Sequence, residues 1–203
     1  MMKLYASAAS SFARKVRVML LEKGIEHELE LVNLWEANKL HDVNPLGKVP
    51  ALQLEDGRVL ISSPLLADFI DGRYPTPRFI PEDFEARTEV RRWEALVDGS
   101  MDAVSATLTR CAFTMRQNAA KRGWSVKEKN SMADSGRLNR CSALAGGVGD
   151  KMTLADISVA CHLGFINLRV PQYFPPDEYP GLSRLWRSME ERDSFKKTAP
   201  PRS

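Results

Sequence analysis

The chain has 203 residues, 43% apolar and 27% charged, with 29 Lys and Arg against 26 Asp and Glu. That balance supports a buried core without disulfides or metals, which excludes a disulfide scaffold, a collagen-like fibre and a largely disordered chain. The net charge of +3 is spread out, with 9 basic and 10 acidic residues up to Pro75 and 20 and 16 beyond it. Neither part carries the single-sign field that a nucleic-acid groove needs.

Up to Pro75, strand and helix signals alternate. Lys3 to Ala6 reads as a short strand, and Ser10-Ser11 then offers hydroxyls that cap a helix. Phe12, Val16, Met19 and Leu20 give the segment Phe12 to Lys23 an apolar face, and Gly24 stands where a left-handed residue closes a helix. Arg14 and Lys15 are expected on the solvated face of that helix. His27 to Val32 alternates charged and apolar residues as a half-buried strand does. A loop through Trp35, His41 and Asn44-Pro45 leads to Val49-Pro50. Ala51 to Leu54, the turn Glu55-Asp56-Gly57-Arg58 and Val59 to Ile61 read as a hairpin. Ser63 is placed to cap a further helix, with Pro64 at its first position and its end near Arg73. The order is β-α-β, loop, β-β-α.

Tyr74-Pro75-Thr76-Pro77 and Pro81 make a stiff connection, which divides the chain into a unit over 1–75, a linker over 76–84 and a unit over 85–203. Everything after the linker reads as helical. Phe84 to about Gln117 is a long helix or helix pair, and its Trp93, Leu96, Val97, Met101 and Val104 are more apolar positions than one face needs. Ser125 to about Leu144 is a second helical segment. Thr153-Leu154-Ala155-Asp156 has the capping-box pattern and heads an apolar helix to about Leu168, and Pro180 to Arg192 supplies one more. The architecture expected is an α/β thioredoxin-like N-terminal domain followed by an all-α C-terminal domain.

Cys111, Cys141 and Cys161 are odd in number and have neither metal nor redox-motif spacing, so they read as buried, reduced thiols of a cytoplasmic protein. His27, His41 and His162 form no ligand set, so no metal is expected, and His162 reads as a satisfied core residue. The amino end carries no signal-peptide pattern. No stretch approaches the run of about 18 apolar residues that spans a membrane.

Four local features carry chemistry. The run Ala8-Ala9-Ser10-Ser11-Phe12-Ala13-Arg14-Lys15 places hydroxyls at a helix amino terminus, where unpaired N–H groups and a partial positive charge favour an anion such as a thiolate. The plain alternative is that Ser10 and Ser11 only cap the helix. Asn44-Pro45-Leu46-Gly47-Lys48-Val49-Pro50 sets a proline just before a strand, where a cis peptide leaves the Val49 backbone facing outward. Ile61-Ser62-Ser63-Pro64 puts two hydroxyls and a second helix terminus beside that turn, suited to a carboxylate. The Thr153/Asp156 box reads as structural.

Together these features resemble the cytosolic glutathione S-transferases, from Lys3 to the end of the chain. Asn-Pro-x-Gly-Lys-Val-Pro-x-Leu over 44–52 is similar to a specific motif of their glutathione-binding domain. Ser-x-Phe-x-Arg-Lys near residue 10 and the tail Asp193-Ser194-Phe195 through Pro200-Pro201 look like a bacterial subgroup with a serine in the active site.

The resemblance implies that Ser10, or Ser11 beside it, hydrogen-bonds the glutathione sulfur. It implies that Val49 pairs backbone to backbone with the cysteinyl part of the tripeptide next to a cis Pro50. Lys48 would face the glycyl carboxylate, and Ser63 with its helix terminus the γ-glutamyl carboxylate. An acidic residue that binds the ligand's ammonium group usually precedes that serine, and here the position is Ser62. Asp98 or Asp102 of a partner subunit could supply the acid instead. An electrophile pocket is expected between the domains near Met101, Ser105, Leu108 and Ala112. The implied protein is a cytoplasmic homodimer using glutathione as co-substrate, with no further cofactor and no nucleic-acid or membrane partner. The spare apolar positions of the long helix and the Ser62–Tyr74 segment are expected at its two-fold interface. Thioltransferases need a cysteine at the first helix, and the maleylacetoacetate isomerases have one where this chain has Phe12. The rival from another class is a non-enzymatic binding or stress-response protein of the same fold.

Overall fold

A computed structural model of the chain describes residues 1–34, 39–117, 151–171 and 174–201, with the backbone alone for 107–117. Strands β1 (Lys3–Ala6), β2 (Glu28–Leu31), β3 (Ala51–Gln53) and β4 (Val59–Ile61) form one sheet in the order β2-β1-β3-β4. β1 runs parallel to β2 and antiparallel to β3, and β3 pairs antiparallel with β4. The parallel pair needs a crossover, and α1 (Ser11–Glu22) supplies it. The short helix α2 (Leu40–Val43) precedes β3, and α3 (Ser63–Arg73) follows β4.

The second part is built on α4 (Phe84–Gln117), one continuous helix, and α5 (Leu154–Arg169) packed against it. A 3₁₀ turn (Pro176–Glu178), α6 (Pro180–Glu190) and α7 (Asp193–Lys197) complete the described chain. The capping box heads α5 as its sequence implies: the Thr153 N–H and hydroxyl both donate to Asp156 Oδ2, each at 2.8 Å. The Leu154 N–H reaches the Phe79 carbonyl at 2.9 Å, which fixes the helix start against the linker. The linker is tied to the first part by Asp71, whose oxygens accept from the Phe79 and Ile80 N–H groups at 2.9 and 3.0 Å. Lys23 binds Asp71 at 2.9 Å and donates to the Tyr74 and Pro77 carbonyls. Among the described residues no helix is long and apolar enough to cross a membrane.

The core runs through both parts, from Leu4, Val16 and Leu52 to Trp93, Ile157 and Phe195. Several expectations are corrected by it. Arg14 and Lys15 are 3% and 1% exposed instead of solvated, because α1 packs against α3, α5 and α7 and the two cations meet acids on α6 and α4. All four residues of β2, one of the two edge strands, are exposed, whereas those of the other edge strand, β4, are half-buried. Trp93, Val97, Met101 and Val104 are buried within the single chain and leave Leu96 alone of that set exposed, so the set is core and not spare surface. α3 is capped one residue earlier than expected: Ser62 is its N-cap and Ser63 its first residue. The predicted segment Pro180 to Arg192 breaks after Glu190, and α7 follows as a separate short helix. Cys161 is buried. The expected helix over 125–144, Cys141 and the side chains of Cys111, Leu108 and Ala112 lie outside what is described.

Candidate functional site

The first turn of α1 decides what the site can hold. Ser10 is the N-cap, with extended backbone, and its Oγ accepts from the Ala13 N–H at 3.2 Å. Its own hydroxyl proton is left to donate outward. Ser11 is 6% exposed and its Oγ has no hydrogen-bond partner among the described residues. The Arg14 N–H closes the first helical bond to the Ser10 carbonyl at 2.9 Å. Among the described residues no hydrogen bond uses the Ser11 or Phe12 N–H, so both point from the positive end of a twelve-residue helix, next to two hydroxyls, one already polarised and one unpaired.

The loop over 44–50 is organised by Asn44, which is buried. Asn44 Oδ1 accepts from the Leu46 N–H at 3.0 Å, and Asn44 Nδ2 donates to the Lys48 carbonyl at 2.7 Å. Gly47 has φ +60°, and a Cβ there would strike the His41 ring, so this turn requires glycine. The Val49–Pro50 peptide is cis. Pro50 is buried and Val49 half-buried, and no hydrogen bond among the described residues uses the Val49 N–H or carbonyl. This is a strand-like edge separated from β3 by Pro50 alone, with the exposed Lys48 beside it.

At α3, Ser62 has φ +78° and ψ 122°, a conformation that costs a non-glycine residue energy and that collects at ligand sites. It is exposed and makes no side-chain cap, while Ser63 is 3% exposed. Pro64 has no N–H and the Leu66 N–H returns to the Ser62 carbonyl at 3.0 Å, so the Ser63 and Leu65 N–H groups are the free donors of this terminus. β1, β3 and β4 are neighbours in the sheet, which brings the α1 terminus, the Val49 edge and the α3 terminus to successive strands.

The two acids on α4 differ. Asp98 lies in a buried ion network: Lys15 Nζ sits 3.0 and 2.8 Å from its two oxygens and 2.8 Å from Glu94 Oε1, and Arg91 holds Glu94 Oε2. Burial raises the Asp98 carboxyl above its ordinary value, with Lys15 opposing. Asp102, one turn on, is exposed. Met101 is buried and Ser105 half-buried. His162 is 1% exposed, with Nε2 3.2 Å from Ser100 Oγ and Nδ1 unpartnered. Burial pulls its pKa down to about 3, which keeps the ring neutral, and among the described residues the ring makes one of its two hydrogen bonds. Burial also lifts the Cys161 thiol to about 12, which leaves it inert. No cluster of metal-ligating side chains occurs among the described residues.

Sequence reasoning missed the burial of Arg14 and Lys15 and their partners. The signal was present: Ser11, Lys15, Val18 and Glu22 share one helical stripe, and Glu94 and Asp98 stand at i and i+4 between apolar positions.

Family models for the glutathione S-transferase N-terminal domain and C-terminal domain match residues 9–73 and 147–193. A GST-like protein of Escherichia coli K12, YibF, is 32% identical over 210 residues, covering all of both chains. A solved glutathione S-transferase from Methylobacillus flagellatus KT with glutathione bound is 37% identical, covers 99% of this chain and all of its own, and superposes with a TM-score of 0.89. A maleylacetoacetate isomerase of Pseudomonas aeruginosa is 36% identical over 102 residues, 47% of this chain and 48% of that protein.

Proposed function

This chain belongs to the glutathione S-transferase family, and we propose that it binds glutathione along the edge described above and adds the tripeptide's thiolate to small, mostly apolar electrophiles. The observation that carries the reading is the first turn of α1, where Ser10 keeps a free hydroxyl proton while its oxygen accepts from Ala13, beside the unpartnered Ser11. The solved relative with glutathione bound supports the choice of ligand.

A free thiol titrates near 8.5, and lowering that by two units takes about 2.7 kcal/mol. One hydrogen bond to the charged sulfur contributes roughly 1.5–3 kcal/mol, and the helix terminus roughly 0.3–1. Ser10 and the terminus together suffice, with no base required. Ser11 Oγ, buried on the same turn, is the second candidate donor. The unpaired Val49 N–H and carbonyl take the cysteinyl backbone, Lys48 the glycyl carboxylate, and Ser63 with the free N–H groups of α3 the γ-glutamyl carboxylate. Ser62 offers the ligand's ammonium group one neutral hydrogen bond. We read the protein as a homodimer in which a second copy brings an acid to that group. Asp102 suits this role better than Asp98, whose charge Lys15 already holds. The electrophile is read to lie near Ser105, Met101, Leu108 and Ala112.

The likeness to a maleylacetoacetate isomerase favours a second use of the same thiolate, reversible addition to a cis double bond followed by rotation and release. Titration calorimetry with glutathione, followed by assays of conjugation to a chloronitroarene and isomerisation of a cis enedione acid, separates these readings. Binding with conjugation supports the first reading, and binding with isomerisation alone the second. No heat at millimolar glutathione overturns both.

A further inference from the structure

Two adjacent cations brace the start of α1 from different sides. Lys15 runs into α4, onto Glu94 and Asp98. Arg14 runs the other way, and the hydrogen-bond and ion-pair partners of its side chain among the described residues lie in the last part of the chain. Its two terminal nitrogens meet the Glu190 carboxylate at 3.0 and 3.1 Å, one of them also reaches the Phe195 carbonyl at 3.1 Å, and Nε approaches Thr198 Oγ1 at 3.4 Å. The guanidinium also stands 5.0 Å from the centre of the Phe195 ring. Phe195 and Thr198 are fully buried, and Trp186 Nε1 holds Glu190 at 3.2 Å. Space for this arrangement is made at Gly164, where a Cβ would stand 2.7 Å from an Arg14 terminal nitrogen.

The remaining links between α1 and this arm among the described residues, Arg17 to the Lys197 carbonyl and Glu22 to Arg192 and the Ser194 hydroxyl, lie farther along the helix. Of the links between α1 and this arm among the described residues, that of Arg14 lies on the turn that carries Ser10 and Ser11. The Arg14 N–H holds the Ser10 carbonyl, and the preceding N–H holds Ser10 Oγ. A hydrogen bond to sulfur depends on placement within about half an ångström. A planar fork spread over three residues fixes position in a way that a single apolar contact cannot.

We infer that Arg14 is a positioning residue for thiol activation, and that the arm formed by residues 190–198 is part of the site through it. The inference rests on the glutathione reading given above. Arg14 touches neither ligand nor reacting atoms; it sets where the first turn of α1 points its hydroxyls.

The test is the pH dependence of kcat/KM for glutathione conjugation between pH 6 and 10, measured on the full chain with glutathione Kd and Tm alongside. Arg14→Met is expected to lower kcat/KM about tenfold at pH 6 and to move the half-maximal pH up by about one unit. It should agree with the parent within about twofold above pH 9.5, where the thiol ionises unaided. Kd should change by less than about twofold, and Arg14→Lys should recover part of the shift. Glu190→Gln keeps the shape and weakens the fork, so it tests the same claim where Arg14→Met does not fold, with a smaller shift in the same direction. A folded variant with lower Tm and the parent's pH profile overturns the inference. A parent whose thiol ionises no lower than free glutathione overturns the glutathione reading and the inference with it; a normal parent with unmoved variants overturns the inference alone.

Discussion

Replacing Lys15 by Met tests how the two parts of the chain are joined. The substitution keeps volume and removes the charge from a side chain that is 1% exposed and faces Glu94 at 2.8 Å and Asp98 at 2.8 Å. Removing one partner of a buried ion pair costs about 3–5 kcal/mol, because the other charge is left in a low-dielectric site. Glu94 keeps Arg91 and the Asp98 side chain is 17% exposed, which places the expected loss near the lower end, about 3 kcal/mol. In a protein of this size that lowers Tm by about 6–12 °C. The loss depends on pH with a defined sign. Burial already raises the Asp98 carboxyl, and without Lys15 it rises further, so the uncompensated charge is relieved by protonation as pH falls. Urea denaturation should therefore show the largest difference between variant and parent at pH 7 and a smaller one at pH 5. Asp98→Asn in the Lys15→Met background should recover a substantial part of it. A loss below about 1 kcal/mol that does not vary with pH would mean that the network behaves as an exposed ion pair, and would refute the argument.

Three further outcomes follow from particular side chains. Ser62→Asp should tighten glutathione binding about fivefold by calorimetry, because a carboxylate gives the ligand's ammonium group a charge-assisted bond; an unchanged Kd removes Ser62 from the ligand. His162, held neutral by burial with a pKa of about 3, should show no ring titration by NMR between pH 5 and 8. Since the unfolded chain binds that proton below about 6.5, His162 should also cost stability as pH falls from 6.5 toward 3, on the order of 1 kcal/mol per unit; a ring titrating near 6.5 contradicts this. Asp156→Ala deletes the carboxylate oxygen that accepts two hydrogen bonds from Thr153 at the head of α5 and should cost about 2 kcal/mol, or 4–8 °C in Tm, whereas a Tm within 1 °C of the parent would make the box dispensable.

What the sequence disclosed was local, and what it hid was long-range. β1 over Lys3–Ala6, the α4 span from Phe84 to Gln117 and the Thr153/Asp156 box all follow from caps, periodicity and turn chemistry within a few residues. The loop over 44–50 was legible for the same reason, since Asn44, Gly47 and Pro50 act on their own neighbours. Arg14 and Lys15 were misplaced because their partners lie 79 to 184 residues away, and a cation pattern along one helix does not show where its acids are. Ser62 and Ser63 were shifted by one because the left-handed backbone at Ser62 is imposed by the join of β4 to α3 and not by a residue type that favours it. The exposure of β2 depends on what the rest of the chain leaves uncovered, which its own alternation of charged and apolar residues does not reveal.

The central claim is that the first turn of α1 makes a bound thiol acidic. Its direct measurement is the thiolate absorbance near 240 nm of glutathione bound to the protein, titrated against pH for the parent, Ser10→Ala and Ser11→Ala. The parent should ionise the bound thiol about two units below the free value near 8.5, and Ser10→Ala should return most of that shift while still binding the tripeptide. A larger effect from Ser11→Ala would move the donor by one residue. A bound thiol that titrates near 8.5 in the parent would contradict the account.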